Sequence, residues 1–204
     1  MINFPTSLDS LTNPTGTDYL NSPDHALQHS NENDAIEALE AKVGVDSSAV
    51  TSSIDYKLSH IRTLLNKTTE ETKNNDAVTA NDSMLTFSVA ANTKYRFDME
   101  LFFTTTTAAD FKYQFTGPVS PTYVAIRRDH VAAGTQTIVD FVDAAYLSTD
   151  VPVTGANGTG FIKMTGIIHN GANAGTVAFR WAQNTATVVD TVVKAGAYLL
   201  YCIT

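Results

Sequence analysis

Apolar residues recur along this chain with two different periods. In MLTFSVAANTKYRFDMELFFTTT (Met84 to Thr106) they fall at every second position: Leu85, Phe87 and Val89, then Tyr95, Phe97, Met99, Leu101 and Phe103. This alternation predicts half-buried strands joined by a turn at Ala91-Asn92. Similar runs follow in FKYQF, TYVAIR, TIVDFV, GFIKMTGIIHN, TVAFRWAQN, TVVKAG and YLLYCIT, punctuated by the glycines and asparagines of TGANGTG and HNGANAG. About eight to ten short strands over residues 77–204, with no helical period between them, predict a β-sandwich of jelly-roll type.

Upstream the period changes. Ser22-Pro23-Asp24 reads as a helix start, with Ser22 as cap, Pro23 at the first helical position and Asp24 favouring the positive helix end. The helix is expected to run to about Val43, where Gly44 can adopt a left-handed closing conformation. Asp46-Ser47 can then cap a second helix from about Ser48 to about Lys73. The first seam runs His25, His29, Glu32, Ile36, Leu39, Val43, and the second Val50, Ile54, Leu58, Ile61, Leu65, Thr68, Thr72. Both alternate spacings of four and three, the narrow stripe of a coiled coil rather than the wide face of a helix on a core. Residues 23–76 therefore read as a helical coiled-coil segment with a break near 44–47. Burying both stripes calls for several copies of the chain.

Residues 1–22 contain isolated Phe4, Leu8, Leu11, Tyr19 and Leu20 among Ser, Thr, Asn, Asp and Pro. Such a peptide buries no core alone, so it reads as an extended anchor that orders on another subunit.

Composition narrows the chemistry. The net charge of -8 is unevenly placed: residues 1–77 hold 5 Lys/Arg against 12 Asp/Glu, and residues 78–204 hold 8 against 9. Neither part offers the basic face that nucleic acid needs. The first residues lack a basic and apolar leader, and no apolar run spans a membrane, so membrane insertion is not expected. With Cys202 as the single cysteine there is no disulfide framework, and this thiol is expected to be buried and structural. His25 and His29 have the i, i+4 spacing of a zinc-binding helix, but alanine at position 26 removes the glutamate base of the metallopeptidase motif. They are weak candidates for an axial metal and better ones for polar layers that set coil register. His60, His130 in the polar stretch RRDHVAAG, and His169 lack partner motifs, and Asp140 and Asp143, the one close acidic pair in a strand-rich stretch, should point to opposite faces at a period of two. Trp181 is expected to face the core with Arg180 outward. The doublet Arg127-Arg128, read as a loop, and Asn157 in TGANGTG are the candidate ligand loops. No cofactor and no enzymatic activity are expected.

HALQHSNENDAIEALEAKVGVDSSAV resembles a segment near the N-termini of tailed-bacteriophage fibre and appendage proteins, where a His-rich helix start leads into NDAIEALEAKVG. The later YRFDMELFF, DFKYQFTGP, GFIKMTGIIHNGANAGTVAFRWAQN and VVKAGAYLLYCIT are similar to small β-sandwich domains of phage tail and head appendages. The resemblance implies a homotrimeric virion structural protein on the exterior of the particle. Its N-terminus would attach to capsid, portal, neck or tail proteins, and its sandwich would point outward for host adsorption or capsid decoration. His25, His29, Ile36, Leu39, Val43, Ile54, Leu58, Ile61 and Leu65 would then line the trimer axis. At about 1.5 Å per residue the coil would span only roughly 30–40 Å per helix, a short spike rather than a long fibre. The alternative is a carbohydrate- or receptor-binding module whose sandwich loops take a host cell-surface glycan.

Overall fold

The computed structural model describes residues 17, 19, 24–46, 48–132, 135–143 and 146–204, with Ser59, Ala132 and 135–143 described by backbone alone. The chain is mainly β, with an N-terminal helical part, and divides into two compact units, Met1–Ile61 and Arg62–Thr204.

In the first unit, helix α1 spans His25–Val43. Its cap is Asp24, whose Oδ1 accepts from the backbone N–H groups of Ala26 (3.0 Å) and Leu27 (3.4 Å). The expected cap Ser22 and Pro23 lie outside the described residues. The helix stops at Gly44, whose N–H donates to the Glu40 carbonyl (2.7 Å) at φ 87 and ψ 160, a region that only glycine enters at low cost. A Cβ at Gly44 would stand 2.9 Å from both Cβ and Oγ of Ser53. Ser53 is fully buried; its hydroxyl donates to the Val50 carbonyl (2.8 Å) and accepts from the Tyr56 N–H (3.2 Å). The Ser48 N–H reaches the Asp55 carboxylate (2.9 Å).

Ser53 thus caps helix α2, which spans only Ile54–Ser59. The long second helix expected from Ser48 to Lys73 does not form, and Ser47 of its expected cap lies outside the described residues. Thr63–Asn66 and Glu71–Lys73 instead make strands, where β-branched Thr63 and Thr72 suit a pleated surface and an open sheet edge is there to receive them. The β unit accordingly begins at Arg62, not Ala77.

The described residues of that unit form twelve strands: β1 (Thr63–Asn66), β2 (Glu71–Lys73), β3 (Ala80–Val89), β4 (Lys94–Thr105), β5 (Phe111–Thr116), β6 (Tyr123–Ala132), β7 (Thr135–Asp143), β8 (Leu147–Val153), β9 (Gly158–His169), β10 (Gly175–Gln183), β11 (Thr191–Val193) and β12 (Tyr198–Ile203). Strands β3 to β10 fall into the orders β3-β10-β5-β8 and β4-β9-β6-β7, the winding of an eight-stranded jelly roll. The second of these sheets is extended past β4 by β12 and β11, which pair with β1 and β2 respectively.

The alternation in β4 works as its pattern requires. Tyr95, Phe97, Met99, Leu101 and Phe103 are buried, and Asn92 takes a positive φ in the preceding turn. Across the two sheets Phe97 stacks on Phe115 (4.7 Å between ring centroids), Phe103 on Phe111 (4.2 Å) and Phe87 on Tyr201 (4.2 Å). Each such side chain contributes about 1.5–3 kcal/mol on burial. Trp181 is fully buried; Arg180, on the opposite face of β10, donates to the Thr79 carbonyl (2.8 Å) and Gln114 Oε1 (3.0 Å). Cys202 is half-buried on β12 rather than fully enclosed.

The first two strands are held by a buried cation. Lys67 is fully buried, its backbone N–H bonded to the Ala197 carbonyl (2.7 Å) and its carbonyl to the Gly196 N–H (2.8 Å). Its ammonium lies 2.9 Å from Asp82 Oδ2 and 3.0 Å from Glu71 Oε2. Asp82 Oδ1 accepts from the N–H groups of Met84 (2.9 Å) and Leu85 (3.1 Å), while Glu71 Oε2 accepts from the Ser83 N–H (3.1 Å) and hydroxyl (3.0 Å). Burial pushes the Glu71 carboxyl up, but the Ser83 backbone and Lys67 outweigh it, and the group is held below its ordinary value.

Three outcomes follow from these contacts. Lys67→Met strands the Asp82 carboxylate and is expected to cost about 3–5 kcal/mol in denaturant unfolding, with Lys67→Met/Asp82→Asn recovering most of it; a single-variant loss below about 1 kcal/mol would contradict the buried pair. The depressed Glu71 group stabilises the fold above the ordinary glutamate value of about 4.3, and that contribution is lost as pH falls below it; Glu71→Gln should flatten this part of the stability profile. Gly44→Ala should destabilise the α1–α2 joint by about 1–3 kcal/mol, read as an earlier loss of far-UV helical signal with the β-unit transition unmoved.

Candidate functional site

The described residues of 24–61 bury no apolar side chain at all; Ser53 is their only buried residue. Ile36, Leu39, Val43, Val45, Val50, Ile54, Leu58 and Ile61 are 44–77% exposed. Single exposed aliphatics are ordinary on a protein surface, but a run of eight in a short segment without a core is not. In α1 they follow the four-three spacing on one side, and the acidic residues Glu37 and Glu40 flank them. This face can gain stability only by being covered.

The same helix begins with its polar residues paired to one another. The Nε2 atoms of His25 and His29 lie 3.1 Å apart, so one ring donates to the other, and His29 Nδ1 lies 3.4 Å from Glu32 Oε2. All three are exposed. Among the described residues no group of three or more His, Cys, Asp or Glu side chains is arranged to hold a metal ion.

Other expected site residues are dispersed. Phe4, Leu8, Leu11 and Leu20 lie outside the described residues, and Tyr19 is 83% exposed. Leu65 is not on a helix seam: it sits in β1 opposite Leu199 and packs against the sandwich core. Asn157 is exposed just before β9, whereas Arg127 lies opposite Thr165 on that strand. Seven residues of extended chain, about 23 Å, separate those levels, so Arg127 and Asn157 do not form one loop site. Arg127 instead lines a shallow depression with Arg96, Tyr123, Thr165 and Ile167.

Nor are Arg127 and Arg128 a solvated loop. Both lie in β6, and they face opposite ways: Arg127 is exposed with its guanidinium 3.6 Å from Asp129, while Arg128 and His130 are in register with Met164 and Ile162, two fully buried residues of β9. Arg128 and His130 therefore point between the sheets, toward the fully buried Tyr113 of β5, whose ring centroid is 6.5 Å from that of His130. Burial pushes the Tyr113 hydroxyl up to about 12, partly offset by Arg128. Burial first, then Arg128, holds His130 below its ordinary value against the opposing pull of Asp129. The signal was present in the sequence as the alternation Val124, Ile126, Arg128, His130, which continues the strand past its apolar part.

No helix among the described residues is long and apolar enough to cross a membrane. Comparison with known proteins finds no matching family model and no matching curated protein. Among solved structures the chain is similar to a chain of a structure of infectious bursal disease virus, Gx strain, at 10% identity, over 71% of this chain and 36% of that one, with a TM-score of 0.20. The chain thus spans about a third of that protein's length, and a likeness at this score carries no argument about fold or function.

Proposed function

We propose that this chain is a structural subunit of a tailed-bacteriophage virion, a short homotrimeric appendage that attaches through its N-terminal residues and presents the jelly roll for host adsorption or capsid decoration. The observation that carries the reading is the exposed apolar run from Ile36 to Ile61 in a unit with no buried apolar side chain among its described residues. A segment of this kind folds by association, and copies of itself are the partner that every chain brings. The narrow spacing of Ile36, Leu39 and Val43 favours helices packed about a common axis.

In this reading the stem is shorter than the sequence expectation. With nineteen residues, α1 spans about 28 Å, and the jointed segment with α2 follows it. His25, His29 and Glu32 then form polar layers at one end of the axial contact, where they set register. The β unit has its own aromatic core and asks for no partner to fold. Its role in this reading is display, with no catalytic step assigned to it. Glycan binding by the sandwich loops is less well supported, since Arg127, Arg128 and Asn157 fall on two faces and two levels.

Light scattering on the purified full chain tests the assembly. A mass near three times 22.0 kDa is expected, with Ile36→Asp/Leu39→Asp returning it to a single chain because like charges would meet at the axis. A trimer that survives this double substitution would remove the stripe as the interface, and a monomeric parent chain would remove the stem.

A further inference from the structure

Buried polar atoms without hydrogen-bond partners are expensive, and this jelly roll contains a cluster of them. Arg128 Nε and Nη1, His130 Nδ1 and Tyr113 Oη are covered by protein and have no well-formed hydrogen bond among the described residues, although Arg128 lies close enough to Tyr113 to act on its hydroxyl. His130 is 7% and Tyr113 0% exposed. Guanidinium donors left unmet under protein cover are costly, and the unmet polar groups beside them add to that. The carboxylate on β6, Asp129, does not resolve the imbalance, and its own Oδ1 is buried without a hydrogen-bond partner. By strand alternation it faces the other side of the sheet, in register with Lys163, and its Oδ2 lies 3.6 Å from Arg127.

The three groups share one chemical character. Arg128 brings a permanent positive charge with a fork of N–H donors, Tyr113 an O–H, and His130 a ring nitrogen able to carry a proton. They come from strands of the two different sheets, β6 and β5, with the His130 and Tyr113 ring centroids 6.5 Å apart. Arg128 as a residue is only part-buried, so it is not wholly cut off from solvent. An oxyanion is the ligand that satisfies all of them, since its oxygens accept from each donor and its charge offsets the guanidinium.

We propose that this end of the jelly roll is an oxyanion-binding site in which Arg128, Tyr113 and His130 hold a carboxylate or phosphate group between the two sheets. It is independent of the stem: the site lies wholly within the β unit.

The test is thermal unfolding of the full chain titrated with sodium phosphate and, separately, sodium acetate, each against sodium chloride at matched ionic strength. A saturable rise in the β-unit Tm with at least one of the two anions, beyond chloride, is expected, and the larger response distinguishes a tetrahedral from a planar ligand. Arg128→Met should abolish the rise. Tyr113→Phe keeps the packed ring and removes only its hydroxyl, so the fold should persist while the apparent affinity falls about tenfold. No saturable rise with either anion in the parent chain would overturn the site, as would a rise left unchanged by Tyr113→Phe and Arg128→Met. If Arg128→Met does not fold, Tyr113→Phe decides alone. Loss of trimerisation would leave these results unaltered, so the two readings fail separately.

Discussion

The Lys67 ammonium, enclosed with Asp82 and Glu71, is the constraint on which the organisation of this chain turns. A charge of that kind is tolerated in a protein interior only when its partners are fixed, and here they come from three successive pieces of chain: the β1–β2 connection, β2 and β3. Their meeting draws residues 62–73 onto the edge of the jelly roll, where β1 and β2 pair with the last two strands. The backbone of Lys67 adds two hydrogen bonds to the Gly196-Ala197 turn. The beginning of the β unit is thereby tied to its end, and the unit closes on itself.

What remains upstream is then short of anything to fold against. Once Leu65 is taken into the sandwich, the helical unit keeps Ile36, Leu39, Val43, Val50, Ile54, Leu58 and Ile61 with no apolar burial of its own among the described residues. The joint between its helices is nevertheless closely specified by Gly44, Ser48, Ser53 and Asp55. A segment with a defined bend and an uncovered stripe suits an assembling stem better than a solvated linker, and that contrast between the two units is the physical basis of the proposed role.

Much of the β unit was legible from alternation. Strand β4 could be read residue by residue, and so could the turn at Asn92, because one face buries aromatics while the other meets solvent. The end of α1 was legible too, since Gly44 does what only glycine does there. The second helix misled because Val50, Ile54, Leu58, Ile61 and Leu65 satisfy a four-three spacing, while the decisive residue for 62–73 was a lysine in a core position. No periodicity of apolar residues reveals that Lys67 is inside, as its burial depends on Asp82 fifteen residues away. Arg128 and His130 were hidden for the same reason: polar residues at inward positions look like a loop when only hydrophobicity is followed. In both places the sequence pattern departs from the simple rule where a charge is built into the interior.

Hydrogen exchange followed across a dilution series of the full chain measures the central claim most directly, since it reports each unit separately. The account predicts that the amides of His25–Val43 lose protection as the chain is diluted, while those of residues 62–204 keep theirs. Protection of His25–Val43 that is indifferent to concentration, or absent at every concentration, would contradict a helix stabilised by assembly.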